Sequence, residues 1–142
     1  MTELKWLPYA LASAGFAALT AILAKLGTKD VPSNVATLFR TVVVLVFSAG
    51  IVGARGELPA LLAIDRRGAA WLVASGVATG LSWLAYFKAL SLGPASQVAP
   101  IDKLSLALVP PLAYLVLGEA ISLRLGAGIA MMVGGALLTI WR

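Results

Sequence analysis

The sequence predicts an all-α membrane protein: a bundle of five transmembrane helices with the N- and C-termini on opposite sides of the membrane. Three observations support this fold class. The chain is 61% hydrophobic and only 12% charged, about half the charge of an average soluble domain. Its charges gather at short junctions that separate uncharged apolar blocks. With its flanks, each block approaches the ~20 residues that a helix needs to cross hydrocarbon.

The five predicted helices cover residues 6–26, 33–54, 69–90, 95–117 and 122–141, and together they form a single domain over residues 1–142. The β-branched run at residues 41–47 would also suit a buried strand, but an open strand cannot satisfy its backbone in lipid. The longest connection mixes leucines with charges, which suggests a short piece lying on the membrane surface. We expect no signal-peptide cleavage near Ala14, because the preceding apolar stretch is too short and hydrophobic sequence continues to Leu26.

Basic residues predict the orientation of the bundle. With five crossings, the face that holds the N-terminus carries five of them, Lys5, Arg55, Arg66, Arg67 and Arg124. The opposite face carries Lys29 and Arg142, joined by Lys25 if its side chain reaches the surface. By the positive-inside rule, the N-terminus is predicted to be cytoplasmic.

Composition also excludes several classes of function. The chain has no cysteine and no histidine, so the usual ligand sets of zinc and haem and all thiol nucleophiles are missing, and no metal or cofactor is predicted. An intramembrane enzyme is disfavoured, since the predicted helices contain no pair of acids. The net charge of +5 is scattered through apolar sequence, which fits membrane flanks and not a nucleic-acid surface.

Four ionisable side chains fall inside the predicted helices: Arg40, Lys88, Asp102 and Lys103. Facing lipid would be costly for each, so each is expected to face protein or water. At 1.5 Å per residue, Arg40, Lys88 and Asp102 lie ~10, ~8 and ~12 Å from the same membrane face. The sequence therefore predicts that these charges converge on one layer and line a substrate pathway.

That layer holds three cations and one acid, which favours an anion or the carboxylate of a zwitterion. Asp102 is then the candidate for proton or cation coupling, and Lys103 is expected to project about 100° away from it around the helix. A purely structural interpretation stays open. Asp102 could pair with Lys88 or Arg40 simply to cancel charge, and the two long basic chains could reach the near surface.

The fourth predicted helix contains Pro100, Pro110 and Pro111. Adjacent prolines remove two amide donors and free carbonyl groups one turn earlier, around Leu106 and Ala107. Kinked helices near the midplane often mark binding sites or gates, so we predict a kink or gate here. Membrane helices also tolerate proline without any functional role.

Small residues at four-residue spacing predict close helix packing. Gly76 and Gly80 form such a pair in the third helix, and Gly126, Ala130 and Gly134 form a row in the fifth. We expect most such rows to pack inside the chain and select the row in the fifth helix as the dimer seam.

Three motifs carry a resemblance to a known family. They read ALSLGPAS at residues 89–96, VAPIDKLS at 98–105 and LGEAIS at 117–122, followed by a glycine-rich last helix. They resemble the EamA domain of the drug/metabolite transporter superfamily, and Arg40 early in the second helix fits the same pattern. The resemblance covers essentially the whole chain. It matches the half-size members with five helices, whereas ten-helix members look like two fused copies of opposite orientation.

The resemblance implies a metabolite transporter of a prokaryotic inner membrane that works as an antiparallel homodimer. Smaller four-helix relatives couple transport to protons through an acid in the first helix. The first predicted helix here has none, so Asp102 is the substitute candidate.

The leading hypothesis is therefore a secondary transporter or exporter of a small polar or anionic metabolite, using alternating access. Its expected partners are a second copy of the chain, the lipid bilayer and a small-molecule substrate. The alternative is a scaffold or accessory subunit that transports nothing and whose charges only hold helices together or recruit a partner.

Overall fold

The computed structural model describes residues 4–141, and every regular element in that range is a helix, which confirms the all-α fold class. The helices are α1 Leu7–Gly27, α2 Ser33–Ala54, α3 Leu58–Leu62, α4 Arg66–Leu92, α5 Ala95–Asp102, α6 Ser105–Leu117 and α7 Leu123–Leu138. Arg142, which entered the predicted charge bias, lies outside the described residues.

Four segments are long and apolar enough to cross a membrane: α1, α2, α4 and the combined segment Ala95–Leu117. The last helix, α7, is apolar but has 16 residues, about 24 Å of helix. Large apolar side chains such as Phe16, Phe39 and Phe47 are exposed along these helices, as expected where lipid or a second chain covers them. The molecule is therefore a multi-pass membrane protein.

The helices group into two compact units. One contains residues up to Ile22 and those from Leu92 onwards, and within it α7 contacts both α5 and α6. The other is Leu23–Ser91, which contains the end of α1, all of α2 and α3, and α4 except for its last residue. Arg40 and Lys88 belong to the second unit, whereas Asp102 and Lys103 belong to the first.

Two helices end at a glycine that the backbone geometry requires. Gly56 after α2 has φ 68° and Gly118 after α6 has φ 71°, a left-handed conformation that other residues adopt only with strain. At Gly118 the turn also satisfies carbonyl groups of the last helical turn: the N–H of Gly118 donates to Tyr114 and that of Glu119 to Ala113.

Helix α4 begins at Arg66, three residues before the predicted start, because Asp65 caps it. The Asp65 Oδ2 atom accepts hydrogen bonds from the backbone N–H groups of Arg67 (3.2 Å) and Gly68 (3.3 Å), which have no partner inside the helix. Gly68 allows this close approach, since a Cβ there would lie 2.7 Å from Asp65 Oδ1.

The predicted fourth helix is two helices, α5 and α6, interrupted at Lys103 and Leu104. Here the backbone tightens: the N–H groups of Leu104, Leu106 and Ala107 each donate to the residue three positions earlier. The interruption lies between Pro100 in α5 and the Pro110–Pro111 pair in α6. The prolines flank the interrupted turn and remove no donor from it: their missing N–H groups would have bonded to the carbonyls of Ser96, Leu106 and Ala107.

Candidate functional site

Arg40 sits inside α2 with its guanidinium over an aromatic pair on α4. The guanidinium carbon lies 4.3 Å from the Trp83 ring centroid and 5.6 Å from that of Phe87. Trp83 and Phe87 are four residues apart, so both fall on one side of α4. A cation over an aromatic face gains about 0.5–2 kcal/mol, more as the pair loses water. This contact holds Arg40 inside the protein without a carboxylate.

The depths of these three residues agree. Arg40 is seven residues past the start of α2, about 10 Å along its axis. Trp83 and Phe87 precede the end of α4 by about 14 and 8 Å. The start of α2 and the end of α4 therefore lie at the same end of the unit Leu23–Ser91.

The contact with the Trp83 and Phe87 rings leaves the N–H donors of the Arg40 guanidinium available for hydrogen bonds. Within Leu23–Ser91, all of which is described, its guanidinium makes no hydrogen bond and no ion pair. No buried side-chain nitrogen or oxygen in residues 4–141 lacks a partner, so these unbonded nitrogens are accessible. The site can therefore receive a hydrogen-bond acceptor from outside the unit.

Hydroxyl groups near Arg40 are satisfied by their own helix. Thr37 is buried, and its Oγ1 donates to the Ser33 carbonyl at 2.9 Å. Thr41 Oγ1 donates in the same way to Thr37 at 2.8 Å. Both threonines have used their donor, so Arg40 is the principal donor on this stretch of α2.

A second cation, Lys25, connects α1 to α4 in the same unit by a hydrogen bond. Lys25 Nζ donates a 2.6 Å hydrogen bond to the Leu90 carbonyl, in the last turn of α4. Carbonyl groups there have no partner within the helix and carry the negative end of its dipole, so an ammonium group is stabilised. Leu90 is 0% exposed, which places this bond against the packed part of the unit.

Lys88 is exposed and differs in this respect from its neighbour Phe87, which is only 3% exposed. Adjacent residues diverge by about 100° around a helix, so Lys88 and Phe87 occupy different faces of α4. The pathway role of Lys88 stays a prediction.

Asp102 and Lys103 meet at the interruption between α5 and α6. Lys103 Nζ lies 3.0 Å from Asp102 Oδ2, and the Asp102 side chain is 33% exposed. The two residues are adjacent where α5 ends, and the long lysine side chain reaches back to the carboxylate. The observed partner of Asp102 is Lys103.

The backbone at this interruption is also accounted for. The N–H of Leu106 donates to Lys103 instead of Asp102, and the released Asp102 carbonyl accepts a bond from Ser105 Oγ at 3.0 Å. Within this membrane-spanning segment, the Asp102 side chain therefore forms an ion pair, and its carbonyl group takes part in the altered backbone hydrogen bonding. Discontinuous helices of this kind expose polar backbone where ions and substrates bind in transporters.

The predicted dimer seam on α7 has open space beside its glycines among the described residues of its own unit. A Cβ added at Gly126 or at Gly134 would meet no atom within 4 Å, and the same holds at Gly76 and Gly80 on α4. Space is therefore open beside these glycines, and the expectation that most such rows pack inside the chain stays a prediction. The seam and the gate role of the prolines stay predictions.

Sequence reasoning missed Trp83 and Phe87. The signal was present: two aromatic residues at four-residue spacing, at the same depth as Arg40 on a neighbouring helix. It also missed the Lys25–Leu90 bond, because a backbone acceptor has no side-chain signature.

The fold and the charged groups within its spans define a class, the multi-pass helical membrane proteins with polar groups held inside the bilayer. The EamA-like transporter family matches residues 4–141, and the chain belongs to this family. It is 50% identical over 133 residues, 94% of each chain, to a Sinorhizobium sp. protein named "Uncharacterized transporter in cobO 3'region". No solved structure matches the chain. These relationships support a transporter role and point away from an enzyme.

Proposed function

We propose that this protein is a secondary transporter or exporter of a small polar or anionic metabolite, working by alternating access in a prokaryotic inner membrane. The observation that carries this proposal is Arg40: a cation within a membrane span, resting on Trp83, with accessible donors and no acceptor in its own unit. A charge kept at this depth needs water or an anion to complete its interactions. Family membership independently supports transport.

The proposed coupling group is Asp102. Protonation would neutralise the carboxylate, release Lys103 and loosen the interrupted segment between α5 and α6. An ion pair that exists in only one protonation state can bias one conformation over another, which alternating access requires. Lys88 and Lys103 complete the proposed pathway, and Pro100, Pro110 and Pro111 keep α5 and α6 able to bend.

The proposed assembly is an antiparallel homodimer through Gly126, Ala130 and Gly134. Five helices are few to enclose a pathway, and transporters are commonly built from two inverted halves. The open glycine positions on α7 allow a second helix to approach closely. In such a pair, one copy would have the cytoplasmic N-terminus that the basic residues favour, and the other copy would have the opposite orientation.

The test is uptake into proteoliposomes of a panel of anions, zwitterions and cations, with and without an imposed pH gradient. Wild-type protein is expected to accumulate at least one anion or zwitterion, and Asp102→Asn to lose the response to the pH gradient. Glu119→Gln is the matched control, because this exposed acid lies past the end of α6.

The alternative scaffold function predicts a different outcome. Substitution of each of the four charges would then change thermal stability only, and no solute would be transported or would stabilise the protein. Absence of transport by wild-type protein in both membrane orientations would overturn the proposal.

A further inference from the structure

The contact between Arg40 and Trp83 uses the π face of the ring and leaves the hydrogen-bond donors of the guanidinium unspent. A guanidinium has five N–H donors in a fixed planar fork. None of them bonds to another residue of Leu23–Ser91, and the unbonded nitrogens are accessible. A ligand that replaces water at this site must therefore supply acceptor oxygens to a planar fork.

The geometry of the fork favours a carboxylate. Its two coplanar oxygens match two parallel N–H groups of arginine, and such bidentate pairs are stronger and more directional than single hydrogen bonds. A lysine ammonium would attract the same charge as a point cation, without this match.

The charge at the site favours a monoanion. Within Leu23–Ser91, Arg40 is the one cation over the Trp83 and Phe87 rings. Lys25 in the same unit is bonded to the Leu90 carbonyl, and Lys88 lies on a different face of α4 from Phe87. One guanidinium neutralises one negative charge, and a dianion would leave one negative charge uncompensated at membrane depth.

We propose that Arg40, Trp83 and Phe87 form a subsite for the carboxylate of a monoanionic organic acid, in which Trp83 orients the guanidinium and so determines specificity. This rests on the proposed function, since it names the substrate class of the same pathway. Phe87 is almost fully buried, with its ring centroid 5.6 Å from the guanidinium carbon, whereas Trp83 is half-buried and can sense the bound ligand.

The experiment is ligand binding followed by the fluorescence of Trp83 in purified protein. Trp6, Trp71 and Trp141 are replaced by phenylalanine, so Trp83 is the remaining tryptophan. The probes are sodium benzoate, neutral benzamide and sodium phosphate at equal ionic strength. Benzoate is expected to produce a saturable change in emission, and benzamide and phosphate are not.

Arginine variants separate charge from geometry. Arg40→Gln is expected to abolish the benzoate response, and Arg40→Lys to weaken it at least about tenfold, because the charge remains while the fork is lost. A protein that keeps only Trp71, which is exposed on the same helix, controls for non-specific quenching. If Arg40→Gln does not fold, Arg40→Lys and the thermal shift of wild-type protein with benzoate provide the same comparison.

A benzoate response that survives in Arg40→Gln, is equalled by benzamide or phosphate, or never saturates would overturn the subsite. Transport in proteoliposomes would distinguish the two proposals. Uptake that persists without any carboxylate response at Trp83 contradicts the subsite alone. Benzoate binding without uptake of any solute contradicts the proposed transport alone.

Discussion

Lys25 Nζ lies 2.6 Å from the Leu90 carbonyl oxygen, and this bond joins the last turn of α1 to the last turn of α4. It couples two segments that are 65 residues apart in the sequence. The acceptor belongs to a fully buried residue, so the bond lies at the packed end of the unit that also holds Arg40.

Lys25→Met is therefore expected to lower the stability of the folded protein in detergent by about 1.5–3 kcal/mol, as for other hydrogen bonds from a charged group. The methionine keeps the apolar stem and removes the ammonium group. Thermal unfolding measures the change. Lys29→Met, in the exposed turn after α1, is the control and is expected to have little effect. Equal effects of the two substitutions would contradict the assigned bond.

The cap at the start of α4 gives a second prediction. Asp65→Ala removes the acceptor for the N–H groups of Arg67 and Gly68 and is expected to destabilise the protein by about 1 kcal/mol. Asp30→Ala, in the exposed turn between α1 and α2, is the matched control.

Gly68→Ala tests the same cap through its close approach to Asp65. Alanine is the better helix former by about 1 kcal/mol, but its Cβ would displace the Asp65 carboxylate, 2.7 Å away. The substitution is therefore expected to be nearly neutral in the wild-type background and stabilising in the Asp65→Ala background. Identical effects in both backgrounds, measured by thermal unfolding of the four proteins, would rule out the predicted coupling.

The left-handed glycine after α6 gives a third prediction. Gly118→Ala is expected to destabilise the protein by about 1 kcal/mol, because φ 71° is strained for any residue with a Cβ. Gly50→Ala, inside α2 with open space around its added Cβ, is the control and is expected to be neutral or stabilising. A loss of stability at Gly50 equal to that at Gly118 would contradict this backbone explanation.

Cross-linking tests the proposed dimer. The chain has no native cysteine, and a Cβ added at Gly126 or Gly134 meets no atom of the described residues within 4 Å. In an antiparallel pair that crosses at Ala130, position 126 of one copy lies opposite position 134 of the other. Mixed Gly126→Cys and Gly134→Cys proteins are therefore expected to cross-link to each other in membranes more than either does to itself.

A parallel dimer would reverse this pattern, since identical positions would then face each other. The two positions are about 12 Å apart along α7, which makes the two arrangements distinguishable with a short cross-linker. Strong cross-links between like positions, or no cross-link at all, would exclude the antiparallel seam.

Sequence reasoning was strongest where a local pattern decides the outcome. The structure places α2 at Ser33–Ala54, the range predicted for the second helix, because the apolar block follows Pro32 and is ended by the turn at Gly56. It was weaker for the fourth helix, where the prolines indicated a distortion but the interruption formed at Lys103 and Leu104. The position of such a break depends on which turn can most easily replace hydrogen bonds to the residue four positions earlier by bonds to the residue three positions earlier. All the backbone hydrogen bonds of the segment together determine which turn this is.

The sequence by itself determined that the chain is helical and crosses a membrane, since uncharged blocks of this length can satisfy their backbone in lipid only as helices. It also determined which charged side chains, Arg40 and Asp102 among them, would be too costly in free energy if they faced lipid. Only the tertiary structure decided the partners of Arg40 and Lys25: Trp83 and Phe87 for Arg40, and the Leu90 carbonyl for Lys25. The physical reason is that ring faces and backbone carbonyl groups carry no net charge, so charge patterns along a sequence do not reveal them as partners.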